Sequence, residues 1–200
     1  MKFFTKSEIK IVAGVLMFLF LISSYNFRLA LRRARDAQRK ADLGEIEKAL
    51  LSYHRDFGYF PPSNEDGEIV ACFDGDIKDL VVPKDVNGNT DIKAYFKQFR
   101  GCEWGNDGLR DVTEPEYPAY SDRLPGDPSI MDGFSYKYIS NFTRFQLYAH
   151  LEGKDSEDEY KKEIELRDLD CGVSVCNFGI GYGKTPLDVS IEKYESSLRN

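Results

Sequence analysis

An uncharged and mostly apolar run at residues 11–27 constrains this chain more than any other feature. As a helix, the run would rise roughly 25 Å at ~1.5 Å per residue, a little less than a ~30 Å hydrocarbon core. Lys10 and Arg28 flank the run, and their long side chains can reach the headgroup regions. The run therefore predicts a membrane-spanning helix.

A cleaved signal peptide is the alternative explanation of the run. Signal peptides have an apolar region of about 7 to 15 residues, followed by a cleavage site of small residues. Here the apolar run passes through Ser23 and Ser24 into Leu29 without a helix breaker. We therefore expect the segment to be retained as an anchor.

Apolar residues after the run recur at alternating steps of three and four, which is the spacing of one helix face. This stripe consists of Leu43, Ile46, Leu50, Tyr53 and Phe57. Gly58 follows the stripe, and two prolines lie shortly beyond it, which is typical of a helix end. We expect one helix over residues 5–57, apolar all round in its first half and amphipathic in its second half.

Charge is divided unevenly along the chain. Residues 1–57 carry 11 Lys and Arg against 6 Asp and Glu, whereas the remainder carries 16 against 28, so net charges of +5 and −12 make up the total of −7. Nucleic-acid binding needs Lys and Arg that neutralise phosphates, and the acidic remainder therefore argues against a nucleic-acid partner. Calcium or basic partners suit it better, and its length allows one compact head.

Two signals disagree about the side of the membrane on which the head lies. More basic residues follow the apolar run than precede it, so the positive-inside rule would place the head in the cytoplasm. Four cysteines in a small domain instead indicate two disulfides and an oxidising compartment. Of the three possible pairings we favour nearest neighbours, Cys72 with Cys102 and Cys171 with Cys176; four reduced thiols in a cytoplasmic head are the alternative.

The head has weaker secondary-structure signals. Residues 134–139 and 143–151 alternate with period two, which predicts an antiparallel hairpin whose apolar face lies on the helical stripe. A short helix is expected at residues 92–99, and a last helix at 187–198 with Thr185 in a capping box. Residues 172–183 are interpreted as a disulfide-pinned loop and residues 154–170 as a solvated, charge-dense stretch.

Residues for catalysis are not evident in the sequence. His54 and His150 lack a recognisable neighbouring nucleophile or metal-ligand spacing, so we expect structural roles for both and no enzymatic activity. Asp85, Asn87 and Asn89 place oxygen ligands at alternate positions, as in a calcium loop, but the later positions of that motif do not match. An Asn87-Gly88 turn without metal is the favoured interpretation.

Four segments resemble a known family. They are residues 34–43 (ARDAQRKADL), 58–62 (GYFPP), 124–128 (LPGDP) and 145–152 (FQLYAHLE). Together with the half-apolar, half-amphipathic helix, they resemble the major, G-type pseudopilins of bacterial type II secretion systems, within the type IV pilin superfamily. The resemblance is good over residues 4–62, loose over residues 124–152 and slight elsewhere.

The resemblance implies an α+β, pilin-like fold. A long N-terminal helix, transmembrane in its first half and amphipathic in its second, would pack on a small antiparallel β-sheet with disulfide-pinned loops. The expected divisions are a leader remnant and transmembrane half-helix at residues 1–27, an amphipathic spine at 28–62 and an acidic head at 63–200. The head would lie outside the cytoplasm, with the N-terminus inside.

The resemblance also implies a structural role. The chain would assemble through its N-terminal helix into a filament, with copies of itself, sibling subunits and inner-membrane assembly machinery as partners. Phe4 would begin the mature chain, and Glu8 would pair with the terminal amine of a neighbour. Asp127 and Asp132 would be candidate calcium ligands, although no cofactor is required.

One alternative function follows from three residues near the N-terminus. The family's processing enzyme needs Gly before the aromatic residue, where this chain has Phe3, and Lys6 and Lys10 flank Glu8. These residues favour an uncleaved single-pass anchor whose head binds a ligand or an envelope partner without polymerising.

Overall fold

A single N-terminal helix dominates the computed structural model, which describes residues 6–153 and 160–199. Helix α1 covers Lys6–Phe57, 52 residues without a break. Gly58 follows the last residue of the helix, and its φ of 78° is a left-handed conformation that glycine adopts without a side-chain clash. The expected long helix is confirmed, and it continues without a break across the expected division at residue 27.

Two small antiparallel sheets form the head. Strand β1 (Ile69–Cys72) pairs with β2 (Arg100–Cys102), and helix α2 (Ile92–Phe96) lies between them in the chain. The second sheet has the order β3-β4-β5, from Lys137–Ser140, Phe145–Ala149 and Phe178–Gly181. Helix α3 (Lys162–Glu165) precedes β5, and helix α4 (Ile191–Leu198) follows it. The architecture is the expected α+β one, with a long helix on small antiparallel sheets.

The predicted hairpin is confirmed, with Tyr138 opposite Leu147 in the β3-β4 register. All five residues of strand β4 are buried. Phe145, Leu147 and Ala149 belong to the same apolar cluster as the α1 stripe. The opposite face is covered by the C-terminal segment, where Gln146 donates hydrogen bonds to the carbonyls of Pro186 and Val189.

The expected loop at residues 172–183 is wrong, because β5 lies within it and pairs with β4. Gly179 explains why: a Cβ at this position would lie 2.7 Å from the ring of Tyr148 and 2.8 Å from the carbonyl oxygen of Leu147. Glycine weakens a strand signal in sequence, yet it permits this close approach in the sheet.

Two further expectations at the C-terminal side need correction. The last helix begins at Ile191, where the Ser190 side chain accepts from the backbone N–H of Lys193, so Thr185 is not the cap. In the stretch expected to be solvated, Ile164 of α3 is buried against Cys171 and Cys176. The other described residues of that stretch, 160–163 and 165–170, are exposed or half-buried as expected, and residues 154–159 lie outside the described residues.

The core lies between the second half of α1 and the β3-β4-β5 sheet. Leu43, Ile46 and Leu50 are fully buried there, Tyr53 is nearly so, and Phe57 packs at the edge. The stripe read from the sequence is therefore the helical side of the core.

Candidate functional site

The first half of α1 extends away from the head with its apolar side chains exposed. Within the described residues, this is the one helix that is long and apolar enough to cross a membrane. Phe20 is 70 % exposed and Met17 is 68 % exposed, which is unfavourable in water but suited to lipid or to neighbouring helices. The exposed apolar half-helix is therefore long and apolar enough to cross a membrane.

Of the two expected assembly residues, Glu8 lies at the start of this half-helix. Phe4 is outside the described residues. Glu8 is in the first turn of α1 and is exposed, with Lys10 half a turn away. Because the N-terminal end of a helix carries a partial positive charge, a carboxylate is stabilised at this position.

A buried arginine joins the second half of α1 to the head. Arg39 donates from Nε to Asp127 Oδ2 (2.8 Å) and from Nη2 to Asp127 Oδ1 (3.0 Å). Its Nη1 donates to Asp36 Oδ1 and to Glu152 Oε1, both at 2.9 Å. Arg35 adds hydrogen bonds from Nε and Nη2 to the two oxygens of Glu152. We call these five residues the Arg39 network.

The Arg39 network also orders the chain after β4. Both oxygens of Asp36 accept backbone N–H groups, Oδ1 from Glu152 and Oδ2 from Gly153, at 2.9 and 3.0 Å. Asp127 Oδ1 also accepts the N–H of Ser129 at 2.7 Å. The network thus fixes two separate loops of the head to one turn of α1.

Mutual pairing shifts the ionisation of the network. Burial alone lowers the pKa of Arg39, but hydrogen bonds to Asp127 and Glu152 outweigh burial and raise it above the ordinary value. Hydrogen bonds from Arg35 and then Arg39 lower the pKa of Glu152 to about 2, against the opposing effect of burial. The charges of Arg39 and Glu152 therefore persist at neutral pH.

The structure gives Asp127 a role other than the expected calcium ligand, because both of its oxygens are taken by Arg39. Asp132 lies in a separate short 3-10 turn at Ile130–Asp132. At the second candidate, Asp85 accepts the backbone N–H groups of Asn87 and Asn89, both at 2.8 Å, which closes a turn around Gly88. The described part of the chain contains no group of three or more His, Cys, Asp or Glu side chains that could hold a metal.

Two disulfides hold the loops of the head. Cys72 is bonded to Cys102 across β1 and β2, and Cys171 is bonded to Cys176 beside α3. These are the pairings of nearest neighbours that the sequence favoured. The histidines have structural contacts: His54 stacks on Phe60 with ring centroids 4.4 Å apart, and His150 Nδ1 lies 2.7 Å from the carbonyl oxygen of Val175.

Sequence reasoning missed the Arg39 network, although a signal for it was present. Asp36 and Arg39 lie seven and four residues before Leu43, so they continue the apolar stripe on the same helix face. Charged residues on a core-facing stripe indicate a buried ion pair. Their partners Asp127 and Glu152 are distant in sequence and only the fold brings them close.

A cleft of about 620 Å³ lies beside the network, between α1 and the loops that follow β2. Gln38, Asp42 and Glu45 line one wall, and Trp104, Leu124 and Met131 are among the residues of the other. Asp42 Oδ2 accepts the Tyr136 hydroxyl at 2.6 Å. Burial raises the pKa of Asp42, against the effect of that hydrogen bond.

No family model, no curated protein and no solved structure matches the chain.

Proposed function

We propose that this chain is a pilin-like structural subunit, similar in kind to type II secretion pseudopilins, that assembles into a filament through α1. The observation that carries the proposal is the division of α1 into an exposed apolar half and a half packed in the core of the head. In a continuous helix of this kind, the position of the exposed apolar half fixes the position of the half that carries the head. It therefore suits a subunit that leaves the bilayer and packs among other helices.

We also propose that the head lies outside the cytoplasm. Two disulfides support this orientation because they persist in oxidising compartments. The basic residues after the apolar run are the opposing signal, but Arg35 and Arg39 have a structural use in the Arg39 network. That use gives these two arginines a reason to be present other than membrane topology.

The decisive experiment is the intact mass and N-terminal sequence of the full chain from its native membrane, with and without reduction before alkylation. A chain that begins at Phe4 and contains two disulfides is the expected result for a processed subunit. A chain that retains Met1 to Phe3 would overturn processing, and four free thiols would overturn the proposed orientation.

A second candidate is an uncleaved anchor whose head binds an envelope partner as a monomer. Phe3, Lys6 and Lys10 favour it, since a leader without the expected glycine and two lysines beside Glu8 are unlike the first turns of family subunits. Chemical crosslinking of the full chain in its membrane separates the candidates. Ladders of oligomers support the subunit, whereas monomer alone supports the anchor.

A further inference from the structure

We propose that the cleft beside α1 binds a short peptide with free ends, with the terminal ammonium group at Asp42 and Glu45 and the terminal carboxylate at Arg123. The proposal goes beyond the proposed function and does not depend on it, because a single copy of the chain contains the whole cleft. The cleft volume of about 620 Å³ is within the usual range for ligand sites.

Opposite charges line the cleft without pairing. Glu45 is exposed on α1, and Arg123 is exposed on the loop that follows β2. Within the part of the chain that the structure describes, neither side chain forms an ion pair. Two unpaired charges of opposite sign in one cleft suit a ligand that carries both signs.

Neighbouring contacts hold the charged groups at the cleft. Asp42 and Glu45 are one helical turn apart on α1, so one ammonium group can lie between their carboxylates. The Tyr136 hydroxyl donates to Asp42 Oδ2 at 2.6 Å, which fixes the position of that carboxylate. Arg123 donates from Nε to the carbonyl oxygen of Gly105, and its two Nη groups can still donate to a carboxylate.

The surfaces between these charges suit the rest of a peptide. Gln38 and Asn106 line the cleft with amides, which both donate to and accept from peptide groups. Trp104 is 5 % exposed, and its indole N–H has no hydrogen-bond partner among the described residues, so it lacks an acceptor such as a peptide carbonyl. Met131 is 96 % exposed and offers an apolar contact to a ligand side chain.

The net charge of the cleft favours a ligand with a free ammonium group. Both oxygens of Asp127 are bonded to Arg39, so that pair contributes little net charge. Two carboxylates, Asp42 and Glu45, then remain against the single guanidinium of Arg123. A purely anionic ligand would be repelled, whereas a zwitterion satisfies both signs.

Equilibrium dialysis of an isotope-labelled tripeptide, Ala-Leu-Ala, against the detergent-solubilised full chain tests the proposal. We expect saturable binding of one peptide per chain. The same peptide acetylated at its N-terminus, or amidated at its C-terminus, should bind about tenfold more weakly, because each block removes one charged contact. Free leucine should also bind more weakly than the tripeptide, since it lacks the peptide groups.

Two substitutions assign the ends of the peptide. Glu45→Gln should weaken binding of the free tripeptide about tenfold but have little effect on the N-acetylated one, and Arg123→Gln should do the same for the free and C-amidated peptides. Glu47→Gln and Arg110→Gln are the matched controls, because Glu47 and Arg110 are not among the residues that line the cleft. Intact mass and an unchanged urea midpoint establish that each variant is folded with both disulfides.

Several results would overturn the peptide site. They are no bound tripeptide at about 1 mM, equal binding of the free and blocked peptides, and tighter binding of leucine. Unchanged affinity in both Glu45→Gln and Arg123→Gln would also overturn it, because the ligand would then lie outside the cleft. Oligomer formation by the wild-type chain is measured separately by crosslinking, so the peptide site and the subunit proposal can fail independently.

Discussion

At the scale of single residues, Arg39 explains how a charged group comes to lie on the core side of a helix. A buried guanidinium is costly unless its donors are satisfied, and Arg39 has three carboxylate partners from three parts of the chain. Such a site penalises any packing in which α1 is rotated or displaced along its axis against the head. We infer that the Arg39 network contributes to the specificity of docking more than to stability.

Loss of Asp127 tests this account. Asp127→Ala leaves Arg39 buried without its two-bond partner, so we expect the free energy of unfolding to fall by about 3 to 5 kcal/mol. The measurement is urea unfolding of the detergent-solubilised full chain, followed by the fluorescence of Trp104, the single tryptophan.

Asp74→Ala is the matched control for this substitution. Asp74 also pairs with an arginine, Arg100 at 2.7 Å, but its side chain is 69 % exposed. Exposed pairs contribute about 1 kcal/mol or less. Equal effects of the two substitutions would contradict the role assigned to burial.

Glu152 makes stability depend on pH. Its pKa is about 2 in the folded chain, below the ordinary value of 4.5, because Arg35 and Arg39 stabilise the carboxylate. The stability it contributes is therefore complete above pH 4.5 and is lost as pH falls toward about 2. We expect urea unfolding of the full chain to show this loss, and Glu152→Gln to flatten the profile in that window.

Asp42 acts in the opposite direction in the same experiment. Burial raises its pKa, so its protonation on acidification favours the folded state. The contribution of Asp42 cancels when the pH profile of the wild type is compared with that of Glu152→Gln, because Asp42 is present in both. An unchanged profile in the variant would show that Glu152 is not the responsible group.

At the scale of elements, α1 is one helix with two different environments. Its second half is stabilised by burial of the apolar stripe on β4, while the apolar side chains of its first half are exposed. Strand β4 is the matching central element, buried on both faces by α1 and the C-terminal segment. The head is thus assembled around the second half of α1 and strand β4.

Neighbouring leucines on α1 test the stripe. Leu50 is fully buried and Leu51 is 39 % exposed, so Leu50→Ala and Leu51→Ala delete the same atoms from different environments. We expect Leu50→Ala to lower the free energy of unfolding by about 2 to 5 kcal/mol, through lost burial and a cavity. Leu51→Ala should change it by about 0.5 kcal/mol or less in the detergent-solubilised chain. Similar costs at both positions would contradict the packing of the head on the stripe.

At the scale of the whole molecule, a small head is held by a modest core, two disulfides and the Arg39 network. The disulfide Cys72–Cys102 spans 30 residues, and Cys171–Cys176 spans 5. A crosslink restricts the unfolded chain more when it closes a longer loop. The first bridge should therefore contribute more to the stability of the head than the second.

Removal of each pair of cysteines measures this difference. Replacement of Cys72 and Cys102 by Ser should cost about 3.5 kcal/mol by the loop-entropy estimate, and replacement of Cys171 and Cys176 about 2 kcal/mol. Urea midpoints of the full chain under oxidising conditions give the comparison. The reverse order would show that native packing around Cys171 and Cys176, both fully buried, dominates over loop length.

Local patterns in the sequence were sufficient for the long apolar and then amphipathic helix, the stripe, the hairpin and the cysteine pairing. An apolar run, a period of three to four and a period of two are properties of neighbouring residues, and burial of one helix or strand face follows from them directly. The expected fold class was therefore correct in outline. Strand β5 was missed because its glycines are explained only by the ring of Tyr148 on the next strand.

Only the tertiary structure decided which charges meet. Asp127 and Glu152 carry no local mark that distinguishes them from the other acidic residues of the head, and Asp127 was assigned to calcium on resemblance alone. Their pairing with Arg39 spans separations of 88 and 113 residues and depends on how α1 docks on the sheet. Helix and strand are determined by nearby residues, whereas the partner of a buried charge is determined by the packing of distant segments.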